Sequence, residues 1–113
     1  MEARIEASKF PPPPVPSLPG VVEPLDSAEQ LVLEGRQQSN CLASYAPRVR
    51  EGRVFIYRVL QPERATLSLI RTETGRWEIS ELRALRNRRT TEQTHDLAEQ
   101  WLGDWQLSCE TAL

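Results

Sequence analysis

A proline-rich stretch near the N-terminus restricts the fold of this chain more than any other feature. Residues 10–24 read FPPPPVPSLPGVVEP and include seven prolines. Because proline fixes φ and lacks an amide proton, the stretch cannot be a helix or an interior strand, and extended polyproline-like backbone is expected. Interleaved apolar residues favour a strap on the domain surface over a linker or a ligand for a proline-binding groove. These apolar residues are Phe10, Val15, Leu18 and Val21.

The segment after the strap predicts an α-helix. Ser27, with Gln30 three residues later, has the form of a capping box, and the helix should run to about Gln38. Gly35 inside this helix costs about 1 kcal/mol relative to alanine, which indicates either close approach by another backbone or an early helix end. Its neighbour Glu34 has no second carboxylate tied to it by an evident geometry. We therefore interpret Glu34 as a surface carboxylate rather than a general acid or base.

A single proline divides the region that follows this helix. Pro47 forbids a continuous helix through residues 41–51, because its ring would clash with the preceding turn. The arrangement that remains is a separate helical turn at residues 41–45 and a short helix with Pro47 in its first turn. That short helix should end at Gly52, because glycine is common just after a helix C-terminus.

After residue 52 the hydrophobic pattern changes from a helical period to a strand period. Residues 54–60, VFIYRVL, are β-branched, aromatic and apolar on both faces, which predicts a central strand. Residues 65–70 and 76–80 alternate apolar and polar side chains, with turn residues before and between them. These patterns predict a three-stranded antiparallel meander with one buried face. That face should carry Leu67, Leu69, Trp77 and Ile79.

A last helix completes the predicted fold. Thr90 and Gln93 form a second candidate capping box, and an apolar stripe at helical spacing follows for packing on the sheet. The stripe consists of Leu97, Ala98, Trp101, Leu102 and Trp105. The fold class is therefore α+β, with helices before and after the sheet. We predict a proline-rich strap at residues 1–24, an α+β domain at residues 25–107 and a C-terminal tail at residues 108–113.

Composition and charge exclude several classes of protein. The formal net charge of −2 gives no global field that would draw the chain to DNA or to an acidic membrane. No apolar run has the length of a signal peptide core or a membrane span, so we expect a reducing cytoplasmic location in which Cys41 and Cys109 stay unpaired. These two cysteines and the single histidine, His95, cannot supply a four-ligand zinc site without carboxylates. We expect no metal, no cofactor and no membrane partner.

The stretch QQSNCLASY, residues 37–45, is the candidate catalytic site. Asn40 before Cys41 would place the thiol in a first helical turn, where the local field favours a thiolate nucleophile, and Tyr45 would lie on the same face. No base is evident, because the only histidine, His95, belongs to a different predicted helix. Residue type favours a packed cysteine, a capping asparagine and a packed tyrosine with its hydroxyl bonded. Both interpretations stay open at this point.

Arginine dominates the basic residues, since only Lys9 among the 14 is a lysine. A genome rich in G and C would give the same bias, but arginine also suits planar contacts with phosphate and carboxylate. Two arginine clusters could form a face that binds nucleic acid through sequence-independent, salt-sensitive phosphate contacts. A solvated loop paired with Glu78, Glu81 and Glu92 is the alternative. The clusters consist of Arg48, Arg50, Arg53, Arg83, Arg86, Arg88 and Arg89.

Several short motifs follow one another in a series along the chain. They are Glu34-Gly35, Asn40-Cys41-Leu42-x-x-Tyr45, Val49-x-x-Gly52, Ile56, Arg64-Ala65-Thr66-Leu67, Trp77-x-Ile79 and Asn87. This series resembles the signature of the PcfJ-like proteins over about residues 10–102, including the initial Phe10-Pro-Pro run. The chain departs from the commonest family pattern at three positions. Asn40 stands where many members have histidine, Gln38 where methionine is usual and Ala84 where glycine often occurs.

The resemblance implies a genetic setting more than an activity. PcfJ-like proteins are encoded on conjugative plasmids, integrative elements and phages, and the founding member is linked to plasmid transfer. We therefore predict an accessory binding module of a mobile element, which contacts nucleic acid or a partner protein through the arginine face. The alternative is a thiol-dependent enzyme or effector centred on Cys41, with Asn40 and Tyr45. A histidine at position 40 would have invited an acid–base interpretation, and Asn40 does not.

Overall fold

The computed structural model describes residues 9–111, and in this part of the chain it has four β-strands and three α-helices. The strands are β1 (Val22–Pro24), β2 (Val54–Val59), β3 (Ala65–Arg71) and β4 (Trp77–Arg83). The helices are α1 (Ala28–Gln38), α2 (Ala46–Arg50) and α3 (Glu92–Thr111), and two 3-10 turns span Leu42–Tyr45 and Leu85–Asn87. The start of the predicted strap, residues 1–8, and the end of the predicted tail, residues 112–113, lie outside the described residues. Within residues 9–111 no helix combines the length and apolar character needed to cross a membrane.

The strands form one antiparallel sheet in the order β1-β2-β3-β4. The predicted α+β class and the meander of β2, β3 and β4 are therefore confirmed. The predicted number of three strands is wrong, because Val22–Pro24 at the end of the proline-rich stretch pairs with β2, with Val22 opposite Val59. Pro24 is compatible with this position since β1 lies at the sheet edge, where a proline need not interrupt a central ladder.

One face of the sheet packs against α3. Trp77 meets the ring of Phe55 edge to face at a centroid distance of 5.5 Å, and Trp101 meets Tyr57 in the same way at 4.9 Å. The predicted buried face and the predicted stripe of α3 are both confirmed, because their residues share one apolar cluster. That cluster includes Leu67, Leu69, Trp77, Ile79, Leu97, Ala98, Trp101, Leu102 and Trp105.

The opposite face packs against α1, α2 and the first 3-10 turn. Leu31 of α1, Leu42 of the turn and Val49 of α2 form a second apolar cluster with Val54 and Ile56 of β2. Alternate residues of β2 thus enter two different cores, which explains why this strand is apolar on both faces. The sheet therefore lies between two helical layers. The expectation of one buried face is wrong for β2 and β3, whose residues are buried on both faces.

A β-bulge in β4 changes which of its side chains face the α1 layer. Leu69 lies opposite Ile79, but the neighbouring pair is Ser68 with Glu81, so Ser80 is an extra residue in the ladder. Without the bulge, residue 80 would stand where Glu81 does. The bulge therefore places the charged residues of β4 beside the polar positions of β3.

The helix boundaries before the sheet agree with the sequence analysis. Ser27 caps α1, because its Oγ accepts the N–H of Gln30 at 3.3 Å. Pro47 lies in the first turn of α2. Gly52 follows α2 with a φ of +74°, a left-handed conformation that favours glycine. The Ser27 cap and the position of the short helix are therefore confirmed. The reciprocal half of the capping box is not formed, because Gln30 Oε1 accepts the N–H of Asp26 at 2.8 Å instead of that of Ser27.

The predicted cap of α3 at Thr90 is wrong by one residue. Thr91 Oγ1 accepts the N–H of Thr94 at 3.3 Å. Glu63, in the turn between β2 and β3, accepts the N–H of Thr91 at 2.6 Å and the hydroxyl of Thr94 at 2.6 Å. The bond from Thr94 is the largest of the contacts that hold the pKa of Glu63 below its usual value. Two adjacent threonines offer similar local signals, and the distant contact from Glu63 decides between them.

The proline-rich stretch touches both helical layers. Phe10 belongs to the apolar cluster under α1 and Val15 to the cluster under α3. Trp101 Nε1 of α3 donates a hydrogen bond to the carbonyl of Pro16 at 3.2 Å, whereas Leu18 is exposed. Residues of this stretch therefore contribute to both cores as well as to the protein surface.

Candidate binding cleft

A cleft of about 440 Å³ opens between the sheet and the chain that follows α1. Polar and charged residues of β3 and β4 line one part of it, and the two 3-10 turns with the residues next to them line the rest. The structure brings the three candidate catalytic residues together with one predicted arginine and Asn87. The complete lining is Asn40, Cys41, Leu42, Tyr45, Thr66, Ser68, Glu81, Arg83 and Asn87.

A sharp reversal at the end of α1 places Asn40 in the cleft. Ser39 ends the helix in a left-handed conformation with φ of 53°, and the N–H of Asn40 returns to the carbonyl of Gly35 at 3.0 Å. Asn40 Oδ1 accepts the N–H of Leu42 at 3.0 Å. The predicted N-cap at Asn40 is nevertheless wrong by one residue, because Cys41 occupies the N-cap position and the 3-10 turn begins at Leu42. Within residues 9–111 the Nδ2 group of Asn40 forms no hydrogen bond, so this donor is available to a ligand.

Gly35 lies where α1 and the reversed chain come closest. A Cβ atom at this position would lie 3.4 Å from the carbonyl oxygen of Asn40 and 3.4 Å from Cβ of Leu42. The expectation of close backbone approach is confirmed, and the alternative of an early helix end is wrong because α1 continues to Gln38. A helix residue without a Cβ atom thus lies where the returning chain passes at contact distance.

Cys41 is exposed and lines the cleft, so its interpretation as a packed residue is wrong. The adjacent Leu42 fills the contact between helix and sheet instead. His95 lies on α3, in the layer on the opposite face of the sheet, and is exposed there. It does not line the cleft, so the structure does not pair it with Cys41. Among residues 9–111 no three His, Cys, Asp or Glu side chains gather as metal ligands would.

Tyr45 connects the cleft wall to β4. Its hydroxyl donates to Oε1 of Glu81 at 2.5 Å, and the guanidinium carbon of Arg48 lies 4.2 Å from its ring centroid. The bond to the Glu81 carboxylate raises the pKa of Tyr45, because it stabilises the protonated phenol. Tyr45 therefore stays protonated at neutral pH and is a positioning group rather than a base.

Ser68 is a cleft residue that the sequence analysis missed. It is only 4 % exposed, and its Oγ has no hydrogen-bond partner within the described residues. An unpaired buried hydroxyl costs about 1–3 kcal/mol, so the Ser68 hydroxyl does not stabilise the fold through a hydrogen bond within the described residues. The available signal was the pair of polar residues that flank Leu67, Thr66 and Ser68, in a strand that is buried on both faces.

Glu34 is buried, and its interpretation as a surface carboxylate is wrong. Its side chain is 2 % exposed and binds the Arg64 guanidinium through both carboxylate oxygens. Thr66, a cleft residue, donates its hydroxyl to Glu34 Oε2 at 2.6 Å. Glu34 therefore connects α1 to β3 next to the cleft, through its contacts with Arg64 and Thr66. Glu34 follows the buried Leu31 by one helical turn, and this spacing would have indicated that Glu34 is buried, although glutamate is usually exposed.

The arginines of the two predicted clusters occupy different surroundings. Arg83 lines the cleft and Arg48 stacks on its Tyr45 wall. Arg86 and Arg88 flank Asn87, and Arg86 and Asn87 have φ values of 57° and 61° in the second 3-10 turn.

Three arginines of the clusters neither line the cleft nor lie next to a residue that does so through the contacts described above. Arg53 forms a salt bridge with Glu51 at 2.7 Å. Arg50 and Arg89 are exposed and do not line the cleft. Neutralisation by Glu78, Glu81 and Glu92 is not observed, because none of these forms a salt bridge with an arginine among the described residues.

The fold and the cleft together define a small α+β domain with a polar cleft between its sheet and a helical layer. A family model described as PcfJ-like protein matches residues 19–99, so the chain belongs to the PcfJ-like family. Searches of curated proteins and of solved structures found no match. Most cleft residues come from the motifs that carry the family resemblance, namely Asn40, Cys41, Leu42, Tyr45, Thr66 and Asn87.

Proposed function

We propose that this PcfJ-like domain is an accessory binding module of a mobile genetic element that contacts nucleic acid beside the cleft. The phosphate contacts come from a set of four residues, the arginine patch, which consists of Arg48, Arg83, Arg86 and Arg88. Arg50, Arg53 and Arg89 of the predicted face lie outside this patch. A cytoplasmic location and an alternative protein partner stay predictions.

One observation carries the proposal: the arginine patch is exposed and not neutralised. All four side chains are exposed, and none forms a salt bridge with a carboxylate among the described residues. A solvated loop of balanced charge would show such pairs. Arginines without them keep their planar donors available for phosphate oxygens.

The net charge of −2 is compatible with this local function. Charges separated by more than about 10 Å are largely screened at ordinary ionic strength, so a phosphate at the patch responds to nearby arginines rather than to the whole chain. Four phosphate contacts to a single strand predict that log K falls with log salt concentration with a slope of about −3. A weak, strongly salt-dependent association is therefore expected.

The test is fluorescence anisotropy with labelled single-stranded and duplex oligonucleotides at several salt concentrations. The double variant Arg86→Gln/Arg88→Gln should weaken binding and lower the salt slope by about 1.4 in magnitude. Its matched control is Arg71→Gln/Arg76→Gln, which changes the net charge equally at the opposite end of the β3–β4 hairpin. Equal effects of the two double variants would refute the patch, and no binding at low salt would refute the function.

A second function, a thiol-dependent enzyme or effector, is favoured by the exposure of Cys41 inside the cleft. Asn40 and Tyr45 would then position a substrate beside the thiol. Iodoacetamide should alkylate Cys41 faster than the exposed Cys109 at neutral pH, as measured by peptide mass spectrometry. Cys41→Ser should leave the melting temperature unchanged. Equal or slower alkylation of Cys41 would exclude an activated thiol.

A further inference from the structure

The cleft contains hydrogen-bonding groups that the fold itself leaves unused. The Ser68 hydroxyl is buried without a partner, and Nδ2 of Asn40 forms no hydrogen bond within residues 9–111. Glu81 uses Oε1 to accept from Tyr45, and Arg83 lines the same space without a salt bridge in the described chain. Donors and acceptors thus stand side by side, which suits a neutral ligand with a mixed polar edge.

The charges that line the cleft interior balance each other. Glu81 and Arg83 contribute one charge of opposite sign each, and Glu81 is the charged residue that lies across the ladder from Ser68, so an uncharged polar group suits the position beside Ser68 better than an anion. The arginine patch lies at or beside the cleft, where Arg48 stacks on Tyr45 and two arginines flank Asn87. Phosphates are therefore expected beside the opening and an uncharged group inside it.

We infer that the cleft receives one unstacked base of a single-stranded nucleic acid while the arginine patch holds the adjoining phosphates. This inference rests on the proposed function and adds the part of the ligand that enters the cleft. A base presents flat apolar faces to Leu42 and Tyr45 and a polar edge to Ser68, Asn40 and Glu81. Splayed bases are recognised in this way, by stacking and by hydrogen bonds to their edges.

Size and chemistry favour a base that carries an exocyclic amino group. The volume of about 440 Å³ lies within the range of about 300–1,000 Å³ of small-ligand sites, enough for one base with its sugar. A carboxylate accepts from the amino group of cytosine, and an asparagine pairs with the edge of adenine. Thymine has no exocyclic amino group, so it should bind most weakly.

The first experiment compares three single strands of equal length by fluorescence anisotropy. They are oligothymidylate, the same strand with one central cytosine, and a deoxyribose-phosphate strand without bases. The cytosine strand should bind about fivefold or more tightly than oligothymidylate, and the base-free strand about tenfold more weakly. The arginine double variant should weaken the binding of all three strands to a similar degree.

Ser68→Ala separates the base contact from the phosphate contact. It removes a buried hydroxyl that has no partner, so the melting temperature should not fall. The affinity for the cytosine strand should fall about three- to tenfold, while the affinity for the base-free strand stays the same. The control is Ser80→Ala, which changes the exposed bulge residue of β4 outside the cleft lining.

Cys41 reports directly on occupancy of the cleft. The cytosine strand should slow alkylation of Cys41 by iodoacetamide severalfold and leave Cys109 on α3 unaffected. One outcome would overturn the inference and keep the proposed function. In that outcome binding depends on the arginines, base-containing and base-free strands bind equally, and Cys41 is not protected. If no strand binds, the proposed function fails instead. The alkylation rate of Cys41 in the presence of cytidine monophosphate then decides whether the cleft binds a base. If cytidine monophosphate does not slow this alkylation, the inference of a base in the cleft is overturned as well.

Discussion

The hydroxyl of Tyr57 forms two hydrogen bonds with the backbone of Val15. It donates to the Val15 carbonyl at 2.8 Å and accepts the Val15 N–H at 3.1 Å, and both residues are buried. The Tyr57 side chain thus supplies hydrogen bonds to the N–H and the carbonyl of Val15, which are not paired with a neighbouring strand. This pair attaches the proline-rich stretch to the sheet.

Tyr57→Phe should lower the free energy of unfolding by about 1–3 kcal/mol, because it leaves a buried N–H and carbonyl of Val15 unpaired. The ring and its edge-to-face contact with Trp101 remain. The control is Tyr45→Phe, whose hydroxyl bonds to the exposed Glu81 and should contribute about 1 kcal/mol or less. Urea unfolding measures both. Equal losses of unfolding free energy in the two variants would show that the hydrogen bonds to Val15 stabilise the fold no more than the exposed bond of Tyr45.

Alkaline pH should destabilise the protein through Tyr57. Burial raises the pKa of Tyr57 above the usual value, so the folded state keeps a proton that the unfolded state releases. Its stabilising contribution is complete below about pH 10 and decreases as the pH rises above that value. The hydrogen bond to Glu81 raises the pKa of Tyr45 and acts in the same direction.

The measurement is the free energy of unfolding in urea from about pH 8 to about pH 11. The wild-type chain should lose stability over the upper part of this interval. Tyr57→Phe should remove most of that dependence, and Tyr45→Phe a smaller part. An unchanged slope in the Tyr57 variant would show that the phenol is not the group that resists deprotonation.

The Glu34–Arg64 ion pair should respond unequally to the loss of each partner. Arg64 is 32 % exposed, so water can solvate it after Glu34→Gln, whereas Glu34 at 2 % exposure has no such access. We expect Arg64→Ala to cost about 3–5 kcal/mol, and Glu34→Gln clearly less.

The more exposed pair of Arg58 and Glu23 provides the control. Its side chains are 42 % and 28 % exposed, so Arg58→Ala should cost about 1 kcal/mol or less. All variants are compared by urea unfolding at neutral pH. Similar costs for Arg64→Ala and Arg58→Ala would contradict a buried anchor behind the cleft.

Local sequence signals were sufficient for most elements of the fold. The Ser27 cap, the break at Pro47 and the change to a strand period after Gly52 all depend on neighbouring residues, and the structure confirms them. β1 could not be predicted in this way. It has three residues, and its partner strand ends at Val59, far along the chain, so only tertiary pairing defines it.

The cleft was predicted in part. Asn40, Cys41 and Tyr45 are close in sequence, so one local motif indicated them together. Ser68 and Glu81 face the same space only because the bulge at Ser80 sets the register of β4, and no local pattern reports that register.

Residue type misled the sequence analysis at two positions. Cysteine is usually buried and glutamate usually exposed. In this chain Cys41 is exposed because the neighbouring Leu42 takes the packing position, and Glu34 is buried because Arg64 neutralises its charge.

Gly35 gives a test of how tightly the cleft wall is packed. A Cβ atom there would meet Asn40 and Leu42 at 3.4 Å, which is an ordinary contact distance, so Gly35→Ala should fit and gain up to about 1 kcal/mol from helix propensity. Gly35→Val adds carbons beyond that contact and should cost about 1–3 kcal/mol by displacing the chain at residues 39–42.

The control for this test is Gly103 on α3, where an added Cβ meets nothing within 4 Å. Gly103→Ala and Gly103→Val should both keep or raise stability, because only helix propensity changes. The alkylation rate of Cys41 relative to Cys109 gives a second measurement, which should change in Gly35→Val and in neither Gly103 variant. If Gly35→Val were as stable as Gly103→Val and left Cys41 unchanged, the packing of α1 would not determine the shape of the cleft.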